Sequence, residues 1–232
     1  MSHFEAIKQS AYLANMRLTE LNLVLFTFGN ASAVDRDARL FAIKPSGVAY
    51  DSLSVESMVV CDFDGIPIDG DLRPSSDTKT HAYLYEKWTH IGGIVHTHST
   101  YATAWAQSRR DIPLYGTTHA DYLPTDVPCA PPMSDDMIAG DYERETGKQI
   151  VAEFRSRGIS SEDVEMILLS NHGPFTWAKD AESAVHNSAV LERLAQMALL
   201  TEQISPGIDR MKESLVQRHH QRKHGPDSYY GQ

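Results

Sequence analysis

Gly92-Gly93-Ile94-Val95-His96-Thr97-His98-Ser99 is the stretch on which the reading of this chain turns. Ile94 and Val95 are strand formers, and the two glycines before them permit a turn or the close approach of another backbone. Side chains alternate along a strand with a period of two, so His96 and His98 leave the same face. Two imidazoles one alternation apart are able to converge on one cation, and neutral imidazole suits zinc and related divalent metals. The ordinary alternative is a pair of histidines hydrogen-bonded to their neighbours. The rest of the chain must therefore supply the other ligands.

Just upstream, Arg73-Pro74-Ser75-Ser76-Asp77 leads into a predicted helix at about 78–88, and Ser75, Ser76 and Asp77 are all good N-cap residues. Downstream, 100–108 reads as a helix, and 112–123 as a loop-rich segment containing Thr117-Thr118-His119-Ala120-Asp121-Tyr122. Ser134 opens a long polar helix that reaches a C-cap at Gly158, with an interruption expected near Gly147. A strand at 166–170 delivers Asn171-His172-Gly173-Pro174, extended structure resumes at 175–177, and Asp180 caps a final apolar-faced helix. The tail from Leu215 is basic and aromatic.

At the other end, Phe4, Ile7, Ala11, Ala14 and Leu18 recur at threes and fours, predicting an amphipathic helix over 3–19. Residues 21–28 read as an apolar, β-rich run closed by Gly29-Asn30-Ala31-Ser32. A short strand at 41–44 is broken by Pro45-Ser46-Gly47, and 57–63 is a strand followed by an Asp64-Gly65 hairpin signal. Strands and helices interleave with neither linker nor repeat. The expectation is one α/β domain over 1–232 with a mixed sheet.

Composition narrows the function. A net charge of −10 argues against a general partner such as nucleic acid or an anionic membrane, both of which need a basic field. Cys61 and Cys129 lie far apart and form no CxxC pair, which argues against a thiolate zinc site and against a disulfide framework. No apolar run reaches membrane-spanning length and no signal pattern opens the chain, so a cytoplasmic location is expected. A catalytic metal needs about three protein ligands and an open position. His172, at a strand end held by a Gly-Pro turn, is a candidate third imidazole, and Asp77 a candidate carboxylate. Phosphate binding needs backbone N–H groups, hydroxyls and a cation. Gly29-Asn30, Lys44 with Ser46-Gly47, and Ser75-Ser76 offer these in three loops that spacing alone does not connect.

Phe28-Gly29-Asn30-Ala31-Ser32, Ile43-Lys44-Pro45-Ser46-Gly47-Val48, Pro74-Ser75-Ser76-Asp77-Thr78, the histidine stretch and His172-Gly173-Pro174-Phe175 together resemble the class II aldolase/epimerase family of zinc-dependent sugar-phosphate enzymes. Gly116-Thr117-Thr118-His119-Ala120-Asp121-Tyr122 and the ending Tyr229-Tyr230-Gly231-Gln232 resemble its epimerase branch, which acts on L-ribulose 5-phosphate. Asp77 points the same way, because the aldolases more often carry glutamate there. Phe28 stands where a tryptophan is common and Asn171 where a serine is.

The resemblance implies a three-layer αβα domain with a mixed central sheet. It implies one zinc per chain, replaceable by manganese or another divalent ion, at Asp77, His96, His98 and His172. It further implies phosphate contacts from Asn30, Lys44, Ser46, Gly47, Ser75 and Ser76, and acid/base residues Asp121 and Tyr230 with His219 as accessory. The branch cleaves and remakes the C3–C4 bond to give D-xylulose 5-phosphate, with the metal as Lewis acid. It works as a homotetramer whose sites lie between subunits. The nearest alternative is an aldolase cleaving a sugar 1-phosphate such as L-fuculose 1-phosphate. A non-catalytic module like the adducin head would be expected to have eroded metal ligands, and a zinc hydrolase would carry a helical His-x-x-x-His.

Overall fold

A computed structural model describes residues 4–225. Its strands are β1 Asn30–Asp35, β2 Leu40–Ile43, β3 Val59–Asp62, β4 Pro67–Asp69, β5 Gly93–His96, β6 Cys129–Ala130, β7 Met166–Leu169 and β8 Pro174–Ala178. Its helices are α1 Glu5–Glu20, α2 Thr78–Lys87, α3 Thr100–Ser108, α4 Thr117–Ala120, α5 Asp135–Ala139, α6 Tyr142–Arg157, α7 Ala181–Ile204 and α8 Glu213–His224. The strands make one mixed sheet in the order β4-β3-β2-β1-β5-β8-β7-β6. Neighbours run antiparallel throughout, except for the parallel pair β6–β7.

The histidine strand β5 lies near the centre, between β1 and β8. Its alternation divides the core. Val95 points to a cluster built with Ile7, Ala11, Ala14 and Leu18 of α1 and Ala181, Ala184 and Val185 of α7. Ile94 points to the other face, among Ala82, Leu84 and Tyr85 of α2, Ile150 and Phe154 of α6, and Phe175 and Trp177 of β8. Helices therefore cover both faces, giving the three-layer αβα arrangement. Burying a large side chain such as Phe41, Phe175 or Leu84 contributes on the order of 1.5–3 kcal/mol, and all three are fully buried.

The two glycines before the histidine strand are there for close approach. A Cβ on Gly93 would lie 2.3 Å from Ala181 Cα, and one on Gly92 1.9 Å from the Lys179 carbonyl oxygen. Backbone cannot yield as a side chain would, so Gly93→Ala must push the start of α7 away from β5. The expected cost is about 3 kcal/mol or more, at the upper end of overpacking penalties, read as a lowered thermal midpoint; an unchanged midpoint would show that the two elements are not so tightly joined.

Two expectations about local structure are corrected. Residues 21–28 are turns and loop, not a strand. Asn22 and Phe26 both have φ of +54°, outside the strand region, and Tyr50 Oη donates to the carbonyls of Phe28 and Gly29 at 3.1 and 3.0 Å. The strand begins later, at Asn30, within the segment read as its terminator. The helical stretch 134–158 is interrupted at Gly140, not at Gly147. Gly147 sits inside α6 because α2 passes against it, where a Cβ would lie 3.0 Å from Tyr83 Cβ and 3.2 Å from the Thr80 carbonyl oxygen. The loop-rich segment includes the single helical turn α4, and the basic tail as far as His224 belongs to α8, which packs on it.

Candidate metal centre and phosphate pocket

His96 ends β5 and His98 lies two residues on, past the end of the strand, and their Nε2 atoms are 3.1 Å apart. His172 arrives from the β7–β8 turn, with ring centroids 4.6 Å from His96 and 5.2 Å from His98. Asn171 makes that turn at φ +65°, a left-handed conformation that asparagine tolerates better than most residues. Gly173 lets the turn press against the histidine segment, since a Cβ there would be 2.7 Å from the Thr97 carbonyl oxygen. One ligand nitrogen from each histidine falls within 4.8 Å of the other two.

This set fits a divalent metal. Metal–nitrogen bonds of about 2.0–2.1 Å in a tetrahedral site place neighbouring nitrogens about 3.3 Å apart, close to the His96–His98 separation. Nδ1 of His96 lies 2.9 Å from the Pro174 carbonyl oxygen. Donating there puts the ring proton on Nδ1 and leaves the Nε2 lone pair for a metal. Burial holds all three imidazoles below their ordinary pKa, and the neighbouring imidazoles add to it, His172 acting on His98, His98 on His96 and His96 on His172. They are neutral at pH 7, which is the ligating form. His96 is buried, His172 half-buried and His98 exposed, so the cluster opens toward solvent on one side.

Asp77 stands at the N-cap of α2, yet its side chain makes no cap bond. It turns instead toward Asn30, whose Nδ2 donates to Oδ2 at 2.6 Å. Burial alone would raise this carboxyl, but His96, His81, the Asn30 amide and His172 outweigh it and hold it below the usual range. It lies beside the three imidazoles, outside the closely convergent set.

The three loops that spacing could not connect meet here. Register pairs Asn30 of β1 with His96 of β5. Beyond β2 the chain stays paired, with Ser46 N–H donating to the Arg73 carbonyl and Ser75 N–H to the Lys44 carbonyl at 2.8 and 3.0 Å. Asn30 Nδ2 also donates to Ser75 Oγ at 3.1 Å, while its Oδ1 is buried without a partner among the described residues. One cavity of about 330 Å³ is consequently lined by Asn30, Lys44, Ser46, Gly47, Ser75, Ser76, Asp77, His96, His98 and His172. Lys44 is buried, and its Nζ donates to the carbonyls of Thr27 and Pro45 at 3.2 and 3.3 Å. Burial lowers its ammonium to about 8. Hydroxyl-bearing residues and one cation thus line a space adjoining three imidazoles.

Asp121 and His219 are elsewhere. They meet where α4 packs on α8, with His219 Nδ1 3.0 Å from Asp121 Oδ1. Arg222 donates from Nε and Nη2 to the same carboxylate at 3.0 and 2.8 Å. Partial burial would raise Asp121, but the hydrogen bonds from Arg222 and His219 and their charge overcome it, and the carboxyl is held down. Neither residue lines the cavity with His96. Tyr230 lies outside the described residues. Sequence reasoning missed Tyr142, whose ring lies 6.5 Å from that of His172, and His81, buried behind Asp77; each sat within a helical pattern, where nothing local marks a contact to a site.

The family model for the class II aldolase and adducin N-terminal domain matches residues 9–199. This chain belongs to that class II aldolase family. Among its relatives, the protein of Salmonella paratyphi A named L-ribulose-5-phosphate 4-epimerase UlaF is 48% identical over 228 residues, covering 98% of this chain and 99% of the relative. Among solved structures, an L-fuculose 1-phosphate aldolase superposes with a TM-score of 0.75 at 25% identity, covering 90% of this chain and 92% of that one. An aldolase II superfamily protein from Pseudomonas syringae does so with a TM-score of 0.76 at 15% identity, covering 98% and 89%. The class II aldolase fold expected from the resemblance is thus the fold found.

Proposed function

We propose that this chain interconverts L-ribulose 5-phosphate and D-xylulose 5-phosphate, inverting C4 by breaking and remaking the C3–C4 bond. The observation that carries the reading is the single cavity in which three neutral imidazoles adjoin a set of anion donors. Full-length similarity to a named 4-epimerase supports it over the aldolase alternative, to which the chain is similar at 25% identity. His96, His98 and His172 would hold the metal, with Asp77 at their side, and zinc is our assignment for the ion. Once bound, such a metal supplies Lewis-acid stabilisation of the negative charge that builds on the ketone as the bond breaks. Lys44, Ser46, Gly47, Ser75, Ser76 and Asn30 grip the phosphate. Asp121, Tyr230 and His219 handle protons at the C4 oxygen. Because Asp121 and His219 are remote from the metal cavity of their own chain, the reading includes a cytoplasmic homotetramer in which a neighbour completes each site.

Incubating the zinc-loaded protein with L-ribulose 5-phosphate and following the product by NMR tests this directly. D-Xylulose 5-phosphate is expected. Dihydroxyacetone phosphate released from L-fuculose 1-phosphate, with no epimer from the pentulose phosphate, would establish the aldolase instead.

The phosphate grip carries its own pH dependence. In the free protein Lys44 loses its proton as pH rises through about 8, and the charged form is the one that binds phosphate. kcat/KM should therefore fall on the alkaline side from about pH 8, since it reports free-enzyme groups. A charge-assisted contact is worth about 1.5–3 kcal/mol, or about 10–100-fold, so Lys44→Met should raise KM by that factor and flatten the alkaline limb. An unchanged KM would remove Lys44 from the grip.

A further inference from the structure

We propose that Asn15 is a positioning residue of the anion pocket, its side-chain amide standing in for a backbone partner of β1 so that the chain can leave the sheet at Lys44. This rests on the phosphate reading above. Asn15 lies within α1 on the face that Ala11, Ala14 and Leu18 also bury, and it is completely buried. Asparagine is a poor residue for a helix interior, and a buried amide needs partners. Nδ2 donates to the carbonyls of Ala11 and Ala31, each at 2.8 Å, and Oδ1 accepts from the Ala31 N–H at 2.9 Å. One neighbouring group is a donor and two are acceptors, so a single orientation of the amide satisfies all three.

The two bonds to Ala31 are those of a strand partner. In an antiparallel ladder, facing residues of a hydrogen-bonded pair exchange N–H and C=O bonds, and such pairs recur at every second position. Val34 N–H is bonded on the β5 side, to the Gly92 carbonyl, so the alternate residues Ala31, Ala33 and Asp35 turn their polar groups toward β2. There Asp35 faces Leu40 and Ala33 faces Ala42, and the same register would set Ala31 against Lys44. Lys44 has gone elsewhere. β2 ends at Ile43, the Lys44 carbonyl accepts from Ser75 N–H at 3.0 Å, and Pro45 bridges to Pro74. Asn15 fills the vacated place and exchanges both bonds with Ala31. Ala31 is itself completely buried. Without Asn15, its N–H and C=O would be left unpaired in the core or would draw Lys44 back to the sheet. The residue before Ala31 is Asn30, whose amide reaches Ser75 and Asp77. Asn15 therefore governs two members of the pocket, holding the strand beside Asn30 and releasing Lys44.

Inorganic phosphate is the probe, titrated by calorimetry into the full-length, zinc-loaded protein well below its melting temperature. Asn15→Leu should weaken phosphate by about tenfold, the lower end of what a charge-assisted contact supplies. Zinc affinity, measured by chelator competition, should stay within about twofold, as for a site that shares no partner with the substitution, because the imidazoles come from β5 and the β7–β8 turn. Asn15→Asp should recover most of the phosphate affinity. Burial keeps its carboxyl protonated, and a carboxylic acid offers Ala31 one acceptor and one donor, as the amide does. Asn15→Ser is too short to span both Ala31 groups and should fall between wild type and leucine. Phosphate bound as tightly as by wild type in Asn15→Leu, or in Asn15→Ser should the leucine variant not fold, would overturn the proposal, however far the melting temperature had dropped. Equal losses of phosphate and zinc would also overturn it, since they report a loosened fold. So would an aspartate variant as weak as the leucine one. A wild-type protein that binds no phosphate would overturn the phosphate reading itself.

Discussion

His96→Asn is expected to lose both its metal and its activity while keeping its fold. Zinc binding of about 10–16 kcal/mol shared among four ligands gives roughly 3 kcal/mol for each, so losing one imidazole should cost about 10²-fold or more in affinity. The same loss should appear in epimerisation at limiting zinc. His96 is the best of the three to test, because it is buried and its Nδ1 is committed to the Pro174 carbonyl. Asparagine keeps a side-chain amide able to meet that carbonyl but has nothing to replace Nε2. Atomic absorption after dialysis reads the metal directly, and full occupancy in the variant would remove His96 from the ligand set.

Asp121→Asn and Tyr230→Phe are each expected to slow epimerisation by about 10²-fold or more, the usual scale for a lost general acid or base, with zinc content unchanged. Inverting C4 requires a proton to leave its oxygen on cleavage and return after the aldehyde has turned its other face. Two groups acting from opposite sides meet that need better than one. The ion pair with Arg222 keeps Asp121 in its charged form. It also joins α4 to α8, so the asparagine variant requires a melting curve to separate lost chemistry from a loosened tail. If neighbouring chains complete each site, mixing inactive His96→Asn and Tyr230→Phe chains should recover activity, since some mixed sites then hold two intact contributions. Verified mixed tetramers with no recovery would rule out the shared site, and wild-type rates in both single variants would rule out the acid/base pair.

The residues that built the expected metal site could be read from the chain because strand geometry is local. A period of two predicts His96 and His98 on one side, and Ile94 and Val95 specify the strand, which ends at His96 with His98 just beyond it. The helix before it, the Asp180 cap, whose carboxylate accepts from Ser183 N–H at 2.7 Å, and the α/β alternation are local in the same sense. Where the reading failed, a distant contact had overruled a local preference. The run 21–28 has strand-like composition, yet the Tyr50 hydroxyl holds its end as a loop. Gly147 looked like a helix breaker and is a contact point for α2.

What the sequence by itself determined, then, was the inventory: three imidazoles, a carboxylate, a lysine and hydroxyl-rich turns on an alternating α/β chain. Only the tertiary structure decided their company. The Asn30–His96 register and the pairing of residues 44–46 with 73–75 unite three loops into one anion pocket. The packing of α4 on α8 keeps Asp121 and His219 apart from it. Sheet register and helix docking depend on residues tens of positions away, so spacing along the chain carries no record of them.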